Sequence, residues 1–190
     1  MPENLLSSTE RKMLLGLARD AITRAANHQA LDMPAHTGVS PVLLQDGAAF
    51  VTLTIDGDLR GCIGALEAYQ PLIDDVWEHA IAAAMEDYRF RPVQPFELSR
   101  IHIEISRLTT PVKLDYKGPE DLISKLQPNL DGVILREGRH RATFLPQVWE
   151  KLPAPEEFLS HLCLKMGAPV DFWRKKQLEV STYRVEEFHE

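Results

Sequence analysis

Cysteine is scarce in this chain: its 190 residues hold two, Cys62 and Cys163, with no C-x-x-C between or around them. That excludes a zinc ribbon and a thioredoxin-type dithiol. No run approaches the roughly 20 consecutive apolar residues that a membrane span needs. A Walker loop, G-x-G-x-x-G, G-x-S-x-G and H-E-x-x-H are all missing. Nucleotide-driven phosphoryl transfer, ordinary serine hydrolysis and zincin-type metal chemistry therefore lack their usual signatures. An excess of positive charge is missing too. Lys and Arg number 21 against 28 Asp and Glu, a formal net charge of −7, which weighs against a nucleic-acid coat protein because phosphate binding needs concentrated basic side chains. The opening MPENLLSSTERK has no basic segment followed by an apolar one. A soluble, cytoplasmic protein is expected, and a reducing compartment argues against a Cys62–Cys163 disulfide.

What is present fits a folded domain. Hydrophobic residues make up 44% and charged residues 26%, close to globular averages, and a chain of this length can withdraw about 70% of its unfolded surface from water. The charge is uneven: residues 1–95 carry 7 basic and 13 acidic side chains, residues 96–190 carry 14 and 15. Arg136/Arg139/His140/Arg141 and Arg174/Lys175/Lys176 are local basic clusters. They read first as solvated surface and second as an anion or nucleic-acid site.

The periodicity predicts an α+β fold. Ser7 and Glu10 have capping-box spacing. Met13, Leu14, Leu17, Ala18, Ala21, Ile22 and Ala25 then recur every three or four residues, which predicts a core-facing helix over about 8–28. Residues 29–41 read as a loop. Asp46-Gly47 and Asp56-Gly57 are hairpin signals, predicting an antiparallel meander of strands near 42–45, 48–55 and 59–63. A helix is expected from Pro71 to about Glu86. A strand with Ile101, Ile103 and Ile105 on one face and His102, Glu104 and Ser106 on the other should follow. Further on come a helix at 119–126, a hairpin of 133–136 and 139–145 turning at Glu137-Gly138, a short helix opened by Pro146, a helix over 156–166 ended by Gly167, and a final strand over 178–185. Two hairpin regions, each with helix nearby, suggest two structural halves.

Leu59-Arg60-Gly61-Cys62-Ile63-Gly64 is the most unusual stretch. Glycine lets a backbone or a ligand approach closely. In an extended strand Arg60 and Cys62 would share a face, and a guanidinium beside a thiol favours the thiolate. Cys62 is thus a candidate nucleophile or soft ligand, while the same letters also fit a buried cysteine at a strand end. Asp87 and Arg89, after the central helix, can form a local ion pair or bind a polar ligand. Glu104 sits on a strand face that either meets solvent or lines a cleft. No converging metal set is visible. His79 has only Asp75 at helical spacing, and Cys62, His102 and Glu104 could meet only through the fold.

These residues resemble the AMMECR family, the system protein A of the bacterial AmmeMemoRadiSam grouping. The resemblance rests on Phe50-Val51-Thr52-Leu53, the Leu59–Gly64 hexapeptide, Asp87-Tyr88-Arg89-Phe90-Arg91-Pro92 and Ile103-Glu104-Ile105-Ser106. It continues through Thr143-Phe144-Leu145-Pro146-Gln147-Val148-Trp149, Phe158-Leu159, Lys165-Met166-Gly167 and Trp173. It implies one domain of this type over residues 1–190, built as two unequal subdomains with a cleft near the hexapeptide, and a grouping with a Memo-like protein and a radical SAM protein. It implies no established reaction, and it leaves the cofactor unknown. Met166 departs from the alanine common in the family, and Arg139-His140-Arg141 is more basic than in many relatives. Two readings follow. In the first, the protein is an enzyme with Cys62 and Glu104 as catalytic groups and Arg60, Gly61, Gly64, Asp87 and Arg89 around a small anionic substrate or nucleic-acid component. In the second, it is a non-catalytic accessory to the Memo-like and radical SAM proteins. An RNA-binding accessory rests on the basic clusters alone.

Overall fold

The structure is a computed structural model that describes residues 5–33 and 35–190. In chain order the elements are α1 (Ser8–Ala26), β1 (Asp46–Ile55), β2 (Asp58–Gly64), β3 (Gln70–Pro71), α2 (Leu72–Met85), β4 (Ile101–Leu108), β5 (Val112–Lys113), α3 (Pro119–Lys125), β6 (Gly132–Glu137), β7 (His140–Phe144), α4 (Pro155–Lys165), α5 (Phe172–Lys175), β8 (Glu179–Tyr183) and β9 (Val185–His189). Short 3-10 turns stand at Pro41–Leu44, Pro95–Arg100 and Pro146–Glu150. The class is α+β. The chain divides into two compact units, one up to Thr109 together with Glu186–Glu190, the other Thr110–Val185. Among the described residues, no helix is long and apolar enough to cross a membrane.

The first unit is a sheet in the order β2-β1-β4-β9, with β3 pairing the start of β1. The capping box forms as expected. Ser7 N–H donates to Glu10 Oε2 at 2.7 Å, and Glu10 N–H donates to Ser7 Oγ at 3.3 Å. Leu14, Ala18, Ala21 and Ile22 of α1 are fully buried, whereas Met13 is 38% exposed. Helix α2 is buried along most of its length, and its small residues Ala80, Ala83 and Ala84 let it lie close to the sheet. Val51 and Leu53 of β1 and Ile101, Ile103 and Ile105 of β4 join the same core. The alternation read at Ile101–Ile105 is therefore real: one face packs on the helices and the other carries polar groups.

Three sequence expectations are corrected here. Residues 41–44 form a 3-10 turn and no strand, because Pro41 has no N–H for a ladder and presets a turn φ. Asp46-Gly47 opens β1 and pairs with β3 through Asp46↔Pro71 and Gly47↔Gln70; the hairpin turn is Asp56-Gly57 alone, where both φ are positive, as a two-residue primed turn requires. The final strand is two strands. β8 belongs to the second unit's sheet, while β9 lies beside β4 in the first. Of the loop expected over 29–41, Pro34 lies outside the described residues.

The second unit is an antiparallel sheet in the order β5-β8-β6-β7. Val133, Leu135, Ala142 and Val180 face a core with Trp149, Phe158, Leu159, Leu162 and Trp173. Trp149 stacks on Phe158 with centroids 3.7 Å apart, and its indole N–H donates to the Asp131 carbonyl at 2.7 Å. The hairpin turn is Gly138-Arg139, one residue later than expected, since Glu137 pairs with His140. Gly167, at φ +82°, ends α4 with its N–H on the Leu164 carbonyl and the Ala168 N–H on that of Cys163, satisfying carbonyls that the helix leaves open.

Candidate functional site

The position of Cys62 depends on a one-residue irregularity. From the Asp56-Gly57 turn, Ile55 pairs with Asp58 and Thr54 with Leu59, but the next pair is Leu53↔Gly61, followed by Thr52↔Cys62. Arg60 is the extra residue of a β-bulge. Without it, the hairpin would set Cys62 opposite Val51, which is fully buried in the helix-facing core. With it, Cys62 joins the polar face, because a slip of one residue exchanges the faces of a strand. The Thr52 hydroxyl donates to Cys62 Sγ at 3.3 Å. Thr52 also pairs with Glu104 of β4. Cys62, Thr52 and Glu104 thus form one row across three strands, the backbones of Cys62 and Glu104 standing two strand spacings, about 10 Å, apart. Both are partly exposed, and the Glu104 carboxylate has no hydrogen-bond or ion-pair partner among the described residues.

β2 is the outer strand of its sheet, so the polar groups along its free edge need partners. At Cys62 they come from the segment after α2. Cys62 N–H donates to Asp87 Oδ2 at 2.9 Å, and Arg89 Nη2 reaches the Cys62 carbonyl at 3.3 Å. Asp87 is 4% exposed. Arg89 holds it in a fork, Nε to Oδ1 at 2.9 Å and Nη2 to Oδ2 at 2.6 Å, with the Arg89 N–H adding a third contact at 3.2 Å. The guanidinium above all, with these N–H groups, keeps the Asp87 carboxyl far below the usual carboxylate range against the opposing effect of burial. The local ion pair foreseen for Asp87 and Arg89 exists, and it serves as a clamp on the backbone of Cys62.

Arg60 meets a partner not foreseen. Its Nε and Nη2 bind Glu97 Oε1 and Oε2 at 2.8 and 3.0 Å, and the pair is largely buried. Arg60 holds the Glu97 carboxyl below its ordinary value. Both Arg60 and Arg89 lie over the Phe90 ring, with guanidinium carbons 5.9 and 5.5 Å from its centroid. Each arginine spends Nε and Nη2 on its carboxylate, so each guanidinium plane is set and Nη1 stays outside the fork. Thr52 and Glu97 were missed in the sequence. Strand pairing from the Asp56-Gly57 turn could have flagged Thr52 only with the bulge known, and nothing local marks Glu97.

The two glycines have packing reasons. A Cβ on Gly61 would stand 2.1 Å from the Ala83 carbonyl oxygen of α2, and one on Gly64 2.5 Å from Phe50 Cα. Neither has a positive φ. The close approach foreseen for Gly61 is that of a helix backbone. Cys163 is fully buried, and that burial pushes its thiol pKa up. Both cysteines are free thiols. Among the described residues, no three His, Cys, Asp or Glu side chains converge as a metal site; His102 pairs with Thr54, one step along from the Cys62 row. The Asp75–His79 pair at helical spacing forms, at 3.2 Å.

The chain resembles known proteins over nearly its whole length. It is 38% identical over 201 residues to a protein of Thermofilum pendens, covering 97% of this chain and 92% of that one. It is 39% identical over 191 residues to a protein of Methanothermobacter thermautotrophicus, covering 97% and 96%. The crystal structure of an uncharacterized protein from Pyrococcus horikoshii superposes with a TM-score of 0.75 at 31% identity, covering 97% of this chain and 93% of that one. The AMMECR1 family model matches residues 15–188, a span that takes in the bulged Cys62 strand, its Asp87–Arg89 clamp and the Glu104 strand, and the chain therefore belongs to the AMMECR1 family.

Proposed function

We propose that the protein is a thiol-dependent enzyme acting on a small anionic substrate at the polar face of the first unit's sheet. Cys62 is the nucleophile, Glu104 the acid/base group, and the Nη1 groups of Arg89 and Arg60 are contacts for the anion. One observation carries this reading: a buried carboxylate, Asp87, and the exposed guanidinium of Arg89 are spent on fixing the backbone of Cys62, while its sulfur stays partly open on the same row as an unpartnered carboxylate. Fixing a reactive group through its supporting shell is how sites gain precision. In such a reaction the sulfur bonds to the acyl carbon of the substrate as the bond from that carbon to its leaving group breaks. Water then attacks the thioester carbon, releasing the acid and returning the thiol. The thiol proton passes to Glu104, across the substrate or a water, and on to the leaving group, so no oxidant or reductant is needed.

The test is intact-mass analysis of the protein exposed to a panel of acyl phosphates and acyl thioesters. A mass adduct on Cys62, absent in Cys62→Ser and formed but slowly discharged in Glu104→Gln, supports the reading. No adduct in the wild type, or turnover retained by Cys62→Ser, sinks it. The accessory reading has its own support in Tyr88 and Phe96, exposed to 94% and 77% beside Arg89 and Glu97, which suit a protein partner of the Memo-like or radical SAM type. Activity that arises only in the mixture and survives Cys62→Ser would establish it.

A further inference from the structure

An aromatic ring stands among the polar groups on the outer face of the first unit's sheet. Alternation along β1 sends Ala49, Val51 and Leu53 into the helix-facing core and puts Phe50 on the side of Thr52. Phe50 is half-buried and joins neither of the two cores. It pairs with Gly64 of β2 and with Ser106 of β4, so the row Gly64–Phe50–Ser106 lies directly beside the row Cys62–Thr52–Glu104. The missing side chain of Gly64 is what seats the ring: a Cβ there would stand 2.5 Å from Phe50 Cγ. Phe50 thereby leans over the position two residues along β2 from Cys62, on the same face. It is also a diagonal cross-strand neighbour of Cys62, at a spacing of about 7–8 Å that an aromatic side chain spans.

The surroundings of Cys62 are therefore lopsided. Along β2 toward Gly64 lies an apolar ring. In the other direction lies the bulged Arg60, and Arg89 reaches the strand from its free edge. An anionic group held by the guanidinium groups leaves the rest of a substrate on the Phe50 side of the sulfur. We infer that Phe50 selects the acyl group, and that the substrate is an acyl phosphate whose acyl part is apolar and larger than acetyl. This rests on the reading of Cys62 as nucleophile. In the step concerned the acyl carbon passes from the phosphate oxygen to the sulfur, and the thiol proton leaves with the phosphate by way of Glu104. A two-carbon acyl group is too short to cover the ring, whereas a longer or aromatic one packs on it and withdraws apolar surface from water.

The test follows by intact mass how fast acetyl, butyryl and benzoyl phosphate acylate Cys62 in the full chain, each rate divided by that of the same reagent with free cysteine. Butyryl and benzoyl phosphate are expected to lead acetyl phosphate by about tenfold or more, the scale on which an apolar pocket discriminates. Phe50→Ala cuts the benzoyl lead about tenfold, Phe50→Tyr retains it, and Phe50→Leu, apolar but without the flat ring, falls between. Circular dichroism and melting check that each variant is folded, and should Phe50→Ala fail to fold, Phe50→Leu decides in its place. A ring that merely covers the glycine of an edge strand would lower the melting temperature when removed and leave the lead unchanged. Adducts on Cys62 with no lead for the larger acyl groups, or a lead that survives loss of the ring in a folded variant, overturn the inference and spare the nucleophile. No adduct with any of the three overturns both.

Discussion

The carboxylate of Asp87 accepts the backbone N–H of Cys62 at 2.9 Å, so the residue bearing the candidate nucleophile is held at the free edge of its sheet by a charge from the end of the central helix. Asp87→Asn keeps an acceptor but loses the fork to Arg89. Equilibrium denaturation should show a loss of about 1–3 kcal/mol, the range for a hydrogen bond to a charged group left without its partner. An unchanged midpoint would remove the clamp from the argument.

The same carboxylate sets an acid limit. Its pKa is depressed in the folded state, while in the unfolded chain it takes the ordinary aspartate value of about 3.9. Between the two values the unfolded state binds the extra proton, so stability falls as pH falls. The contribution is fully present above about pH 5, declines through pH 4 and vanishes only below the folded pKa. Chemical denaturation between pH 3 and 7 should therefore give a steeper acid loss in the wild type than in Asp87→Asn.

Gly61 and Gly16 should respond to alanine with opposite signs. At Gly61 the new Cβ meets the Ala83 carbonyl at 2.1 Å, and helix or strand must move. The expected cost is about 1–3 kcal/mol, the range for overpacking. Gly16 is on α1 with nothing within 4 Å of an added Cβ, and Gly16→Ala should stabilise by roughly 0.5–1 kcal/mol through helix propensity. Thermal melting of the two variants reads both.

The two thiols should separate in reactivity. Iodoacetamide should label the partly exposed Cys62 in the native protein and reach the fully buried Cys163 only after unfolding. Thr52→Val removes the hydroxyl that donates to Sγ, and the attacking sulfur anion loses that hydrogen bond. Labelling at fixed pH should slow by about 2- to 10-fold, the equivalent of one neutral hydrogen bond. Equal labelling of both cysteines in the native state would contradict the face assigned to Cys62.

Arg60 and Glu97 should couple. A double-mutant cycle with Arg60→Met and Glu97→Gln is expected to return an interaction of about 1 kcal/mol or more, because the pair is two-pronged and largely buried. A value near zero would mean that the bulged arginine is held by packing on Phe90 alone.

Much of the backbone was legible in the letters. Ser7 and Glu10 announced the start of α1, Asp56-Gly57 the hairpin, and Gly167 the end of α4, because each acts through hydrogen bonds within a few residues. Local signals also misled. Asp46-Gly47 has the composition of a hairpin turn, but its strand continues because β3 pairs with it from more than twenty residues on. Leu178–Val185 read as one strand because nothing in its alternation says that its two ends belong to different sheets.

The chain alone determined the α+β class, the glycine-flanked cysteine and the polar face of the Ile101–Ile105 strand, since periodicity and turn chemistry are properties of neighbours in sequence. Only the tertiary structure decided which way Cys62 points. A single bulged residue moves it from the Val51 face to the Thr52 face, and one inserted residue reverses a strand whose side chains alternate with period two. The partners of the two arginines also lay beyond the letters in different degrees. Asp87 and Arg89 are near neighbours, but their joint target, Cys62, is 25 residues from Asp87, and Glu97 is 37 from Arg60; charge pairing at such separations follows from how helix and sheet pack, which no local pattern encodes.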